Sequence, residues 1–155
     1  MPLVIRPHLA SDAAASLEVF YASIRITAAA DYSPKQIEAW ASPEIDVSGW
    51  TTKRMARTTM VAVIDDTVVG FIDVDAQGYI DMLFVHPNQA RRGVGAALLA
   101  WAVARAAQLG ATSLDTHASL TARPFFESHG FIVVGERQPI IRGVALQNFV
   151  MSRPI

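Results

Sequence analysis

The chain contains no cysteine, which excludes disulfides, thiolate metal sites and a cysteine nucleophile. That composition suits a reducing compartment. The N-terminus, Met1-Pro2-Leu3-Val4-Ile5-Arg6, lacks a basic stretch followed by an apolar core, so the expected location is cytoplasmic, with no export signal. Neither sign of charge dominates: 13 Lys and Arg against 14 Asp and Glu leave a formal charge of −1. No overall basic field exists to attract nucleic acid. Long apolar runs are also missing. The most apolar segment, Val94 to Ala104, is interrupted by Gly95 and closed by Arg105, well short of the ~20 residues that span a bilayer. No membrane partner is expected. Zinc-ligand spacing, a serine nucleophile elbow and a Walker lysine are absent as well, so no metal is expected.

What is present is 155 residues with 52% apolar content, enough for one domain over 1–155 with a sizeable core. Leu3 to Ile5 read as a first strand, and Ser11 or Asp12 caps a helix carrying Leu17, Phe20, Tyr21, Ile24 and Ile26 that ends near Ala30. Ser33 as cap with Pro34 at the first helical position starts a second helix bearing Ile37 and Trp40. Ser42-Pro43 stops it, and Asp46 to Arg57 predicts a further helical turn or two.

From Thr58 the period changes. Thr58 to Ile64 and Thr67 to Val74 flank Asp65-Asp66 as a hairpin. After a turn at Ala76-Gln77-Gly78, Tyr79 to Val85 forms a third run. A helix follows from about Arg92 to Leu109, stopped by Gly110, then a strand over Thr112 to His117. Ser119 to Glu127 predicts a short helix, Phe131 to Val134 a strand, and Gln147 to Met151 its return partner.

The junction between the third run and the long helix carries the clearest chemistry. Apolar Leu83, Phe84 and Val85 lead through Pro87 into Ala90-Arg91-Arg92-Gly93-Val94-Gly95-Ala96. A helix start made of small residues offers unpaired N–H donors at the positive end of a helix dipole, which suits a phosphate or pyrophosphate. A dinucleotide fingerprint is excluded, because the third glycine position is Leu98 and the repeated βαβ order is missing.

Leu83-x-Val85-x-Pro87 followed by Arg92-Gly93-Val94-Gly95-x-x-Leu98-Leu99 resembles the acyl-CoA signature of the GNAT-type acetyltransferases. Ala122-x-x-Phe125-Phe126-Glu127-x-x-Gly130-Phe131 resembles a second segment of that superfamily. Asp31-Tyr32-Ser33-Pro34, Ala39-Trp40-Ala41, Tyr79 to Val85 and Ala118-Ser119-x-Thr121-Ala122 are similar to the bacterial YafP-like members.

The resemblance implies a mixed α/β (α+β) fold, its sheet mostly antiparallel, with helices on both faces and a splayed central strand pair. It implies acetyl-CoA as cosubstrate, held by Leu83, Phe84, Val85, by the turn Ala90, Arg91, Arg92, Gly93, Val94, Gly95, Ala96, and by Ser119, Pro124, Phe125 and Phe126. The partner would be a small-molecule or peptide amine, bordered by Tyr32, Gln36 and Trp40. A homodimer is compatible with the family, although no sequence feature points to one.

Two positions depart from the pattern. Ala90 stands where Gln or Arg is usual, and Phe126 where many members have a proton-donating tyrosine. Acetyl transfer to an amine therefore needs its base and acid elsewhere. Period-two alternation puts Tyr79, Asp81, Leu83 and Val85 on one strand face, which makes Asp81 the expected base; the same carboxylate would equally suit an arginine pair. His117 has a suitable ordinary pKa, and Tyr32 and Tyr79 carry hydroxyls able to donate a proton. The expected activity is N-acetyl transfer by direct attack in a ternary complex. The alternative is a non-catalytic acyl-CoA-binding module for regulation or interaction.

Overall fold

A computed structural model describes residues 2–155. β1 (Leu3–Pro7) pairs antiparallel with β2 (Thr59–Ile64), β2 with β3 (Thr67–Asp73), and β3 with β5 (Leu83–Val85), forming a first four-stranded sheet. A second is ordered β4 (Tyr79–Ile80), β6 (Ser113–Ser119), β10 (Asn148–Pro154), β7 (Ile132–Arg137), with β4 and β6 parallel. The hairpin turn at Asp65-Asp66 is as expected. Both residues have positive φ, 50° and 61°, which matches the right-handed twist of the flanking strands.

Helices cover both faces. Helix α4 (Val94–Gln108) lays Leu98, Leu99, Ala102 and Ala106 against Ile72, Leu114 and Met151 on one side. On the other, α1 (Ala13–Ala22) and α3 (Val47–Ala56) bury Phe20 and Trp50, with Ile24 just beyond α1, against Val61 and Phe71. The stretch after α1 stays helical to Ala30, but as a π-turn over Ser23–Thr27 and a 3₁₀ turn over Ala28–Ala30. Helix α2 (Pro34–Trp40) starts as its sequence predicts, with the Ser33 hydroxyl accepting from Gln36 N–H at 3.1 Å and the Gln36 side chain accepting from Ser33 N–H at 2.8 Å.

Three readings need correction. Asp46 to Arg57 is a ten-residue helix rather than a turn or two, capped by Asp46 accepting from Gly49 N–H at 3.0 Å. Residues 140–145 form an additional hairpin, β8 (Ile140–Ile141) and β9 (Val144–Ala145), turned by Arg142 and Gly143 at positive φ. Most consequentially, Tyr79 to Val85 is not one strand.

Tyr79 and Ile80 pair with β6, whereas Leu83 to Val85 pair with β3. The backbone between them is diverted by side chains: Asp81 N–H donates to the Asp73 carboxylate at 2.9 Å, and the Thr116 hydroxyl donates to Ile80 C=O at 2.9 Å. The expected splay between β5 and β6 is thus present, and it begins at Asp81-Met82. Among the described residues, no helix is long and apolar enough to cross a membrane.

Candidate active site

Strand β5 exposes one edge to the gap. Asp73 N–H donates to Met82 C=O and His86 N–H donates to Val69 C=O, so residues 82, 84 and 86 turn their backbone groups toward β3. By the alternation of an antiparallel ladder, the N–H and C=O groups of Leu83 and Val85 face away from β3, into the gap.

Beyond β5 the chain enters a 3₁₀ turn, Pro87–Gln89, and then the turn that starts α4. No backbone N–H from Arg91 to Ala96 reaches a protein acceptor in good hydrogen-bond geometry among the described residues, the first such bond into the helix being Ala97 N–H to Gly93 C=O at 3.0 Å. Arg91 and Gly93 have positive φ, 62° and 81°, a conformation that turns successive N–H groups inward to form an anion-binding concavity. A Cβ at Gly93 would meet nothing within 4 Å, so its backbone is open to a ligand. Gly95 has a different reason: a Cβ there would meet the Phe125 ring at 3.1 Å. The space beside Gly95 is thus taken by a protein side chain, whereas that beside Gly93 is open.

Two clefts meet at the splay. One, of about 380 Å³, runs from the turn along Leu83, Phe84, Val85, Ala90, Arg91, Gly93, Val94, Gly95 and Ala96 to Ser119 and Phe125, with the π-turn as its far wall. The other, of about 280 Å³, contains Tyr32, Tyr79, Asp81, His117, Phe126 and Arg137. Both include Trp40, Leu83, Phe84, Ser119 and Ala122. A long ligand in the first would thus present its end to the second.

Several expected site residues lie outside both clefts or are engaged by other groups. Arg92 and Pro124 are exposed and line neither cleft. Phe126 is 3% exposed and borders the second cleft, packed on Phe131. Gln36 lines neither cleft, because its side-chain amide caps α2 and donates to Ala145 C=O at 3.0 Å. Tyr32 borders the second cleft, but its hydroxyl donates to Gln147 C=O at 2.7 Å and accepts from Leu120 N–H at 2.9 Å. Its one proton is committed. Burial also pushes its pKa up.

Tyr79 and His117 are adjacent, the hydroxyl 3.2 Å from Nδ1. Arg137 Nη1 is nearer to the same Nδ1, at 2.8 Å. Arginine has only donors, so Nδ1 must be the acceptor, and the ring is neutral with its proton on Nε2. Burial first, then the Arg137 charge, lowers the His117 pKa. This arrangement opposes His117 as the base. Nδ1 offers one lone pair and Arg137 is the closer donor, which leaves the Tyr79 proton available to another acceptor. Burial, then Asp81, raises the Tyr79 pKa and keeps that proton in place.

Asp81 is 38% exposed at its side chain, with one oxygen 3.9 Å from Arg54 Nη2. That separation is a loose pairing. The close pair lies behind it, where Arg54 and Asp73 are 2% and 0% exposed and 3.0 Å apart, with Arg57 3.3 Å from the other Asp73 oxygen. Burial pushes the Asp73 carboxyl up, opposed by the Asp81 backbone N–H and the Arg57 charge, and pushes the Arg54 guanidinium down, opposed by the Asp73 charge. Sequence reasoning missed Arg54, Arg57, Asp73 and Arg137. Arg142, by contrast, is occupied in donating to Ala39 C=O at 2.7 Å, and Arg123 pairs with Glu127 at 3.3 Å. Among the described residues, no cluster of His, Asp or Glu could hold a metal ion.

Comparison with known proteins gives consistent relatives. The family model described as an acetyltransferase (GNAT) domain matches residues 28–152. The Escherichia coli K12 protein named uncharacterized N-acetyltransferase YafP is 41% identical over 133 residues, 86% of this chain and 83% of that protein. A crystal structure described as a GCN5-related N-acetyltransferase from Rhodopseudomonas palustris superposes with a TM-score of 0.96 at 34% identity, covering 100% of this chain and 97% of that one. The fold is also shared with the PaiA N-acetyltransferase of Thermoplasma acidophilum, solved with coenzyme A, at a TM-score of 0.82, 20% identity and 100% coverage of both chains. The chain belongs to the GNAT acetyltransferase family.

Proposed function

We propose that the protein transfers an acetyl group from acetyl-CoA to a primary amine by direct attack in a ternary complex. The observation that carries this reading is the run of N–H groups from Arg91 to Ala96 without a well-formed protein acceptor, at a cleft that meets, along Leu83, Phe84 and Ser119, a second cleft lined by Asp81. The turn fits a pyrophosphate, and the unpaired β5 edge fits the amides of a pantetheine arm. When bound, acetyl-CoA supplies the activated acetyl carbonyl.

The chain's own residues do the rest. Leu83 N–H, pointing into the gap, donates to the carbonyl oxygen as negative charge builds there. Asp81, directly or through water, takes the proton that the amine must lose. Tyr79 supplies a proton to the departing sulfur, since Phe126 has none to give and the Tyr32 proton is held by Gln147. Trp40, its ring centroid 5.5 Å from that of Tyr32 and 6.3 Å from that of Phe84, walls the meeting point of the two clefts. Binding both partners in one continuous cavity converts the reaction into an intramolecular one, and that orientation is a large part of the rate enhancement.

A thiol-release assay across amine classes tests the reading. Amine-dependent turnover is expected, falling about 10²-fold or more in Asp81→Asn with calorimetric acetyl-CoA affinity unchanged. An undiminished rate in that variant would remove the base. Tight acetyl-CoA binding with no turnover on any amine would favour the non-catalytic module.

A further inference from the structure

Resting on the acetyl-transfer reading above, we infer that the acceptor carries a carboxylate as well as its amine, an amino-acid-like zwitterion, and that Arg137 binds that carboxylate.

Among the residues lining the second cleft, Asp81 is the one anion and Arg137 the one cation; most of the rest are aromatic or aliphatic. The register explains why Arg137 faces the cleft. Arg137 on β7 pairs with Asn148 on β10, which pairs with Ser119 on β6, and paired residues share a sheet face. His117, two residues before Ser119, lies on that face too, while the intervening Ala118 is buried in the core.

The guanidinium is held but not neutralised. Nη1 is fixed by His117, and no carboxylate lies within pairing distance of Arg137 among the described residues. Nε and Nη2, the side-on fork that matches a carboxylate with two parallel hydrogen bonds, donate to no protein group. A half-buried cation without a protein counter-charge, in a cleft whose opposite charge is the amine-facing Asp81, reads as one half of a recognition pair. A cavity of about 280 Å³ suits a small molecule rather than a folded partner.

The test uses protein α-amino acids beside their decarboxylated amines. Thiol release is measured with wild type, Arg137→Gln and Arg137→Lys, and calorimetry follows binding of the same compounds to the CoA-loaded protein. Carboxylated members should be preferred about tenfold or more in kcat/KM and in affinity. Arg137→Gln should abolish that preference through KM, with CoA affinity unchanged, and Arg137→Lys should restore part of it by keeping the charge without the fork. Turnover of amines with no carboxylate advantage would overturn this inference and leave acetyl transfer standing. Arg137-dependent carboxylate binding without thiol release would do the reverse. Carboxylates that bind no better than matched amines, or equally well to Arg137→Gln, would also overturn it.

Discussion

Asp73 accepts the backbone N–H of Asp81 at 2.9 Å with a carboxylate that is wholly buried. The same side chain meets Arg54 on α3 and Arg57 directly after it. One buried anion therefore fixes both the point where the two sheets part and the backbone that carries the proposed base.

Replacing Asp73 with Asn keeps the shape of the side chain but leaves the Arg54 charge buried without its partner. The expected cost is about 3 kcal/mol or more, read as a fall in the urea midpoint. A loss below about 1 kcal/mol would mean that the pair does not hold this junction together.

Tyr32→Phe distinguishes a fastening hydroxyl from a catalytic one. Losing the bonds to Gln147 C=O and Leu120 N–H should destabilise the protein by about 1–3 kcal/mol. Below its melting range, kcat should fall less than tenfold. A drop of 10²-fold or more with unchanged stability would return Tyr32 to the list of proton donors.

His117 should titrate, by NMR of its ring protons, below the ordinary 6.5. Arg137→Gln should move it back toward that value. His8, 4% exposed and hydrogen-bonded to Ser16 at 2.9 Å, is also held down, chiefly by burial. The unfolded chain binds these protons more readily than the folded one, so their contribution to stability is complete above about pH 6.5 and is lost as pH falls below it. Denaturation midpoints that stay flat from pH 7 to pH 5 would contradict this.

Gly93→Val forces a branched side chain into a backbone with φ of 81°. A stability loss of about 1 kcal/mol is expected, with acetyl-CoA affinity reduced tenfold or more by calorimetry. Unchanged affinity in the folded variant would take the phosphate role away from this turn.

What could be read from the residues was local. Asp65-Asp66 between two β-rich runs, Ser33-Pro34 before a helix and Gly93-Val94-Gly95 before another each specify their geometry within a few positions. The β8–β9 hairpin was readable too, since Arg142-Gly143 between Ile140-Ile141 and Val144-Ala145 carries the same two-residue turn signal. The break at Asp81-Met82 was not, because it depends on Asp73 and Thr116, partners that the chain supplies from other strands. Period-two reasoning joined Tyr79 to Val85 through that break, yet Tyr79, Asp81 and Leu83 still border one cleft. Arg137 gave no signal of its own: at the end of a strand it looks like any solvated charge until the register sets it beside His117.

The π-turn at Ser23–Thr27 has a bearing on how the site could be altered. Such a turn accommodates one residue more than an α-helix would, and each residue advances the helix by about 100°. Deleting one residue there would let the helix run straight, and everything downstream would enter rotated by that amount. Tyr32 would swing away from Leu120 and Gln147, Trp40 from the meeting point of the clefts, and the wall of the cofactor cleft formed by Ser23, Ile24 and Thr27 would be recut. Loss of a single codon would thus rephase one entire side of the cavity without touching Asp81.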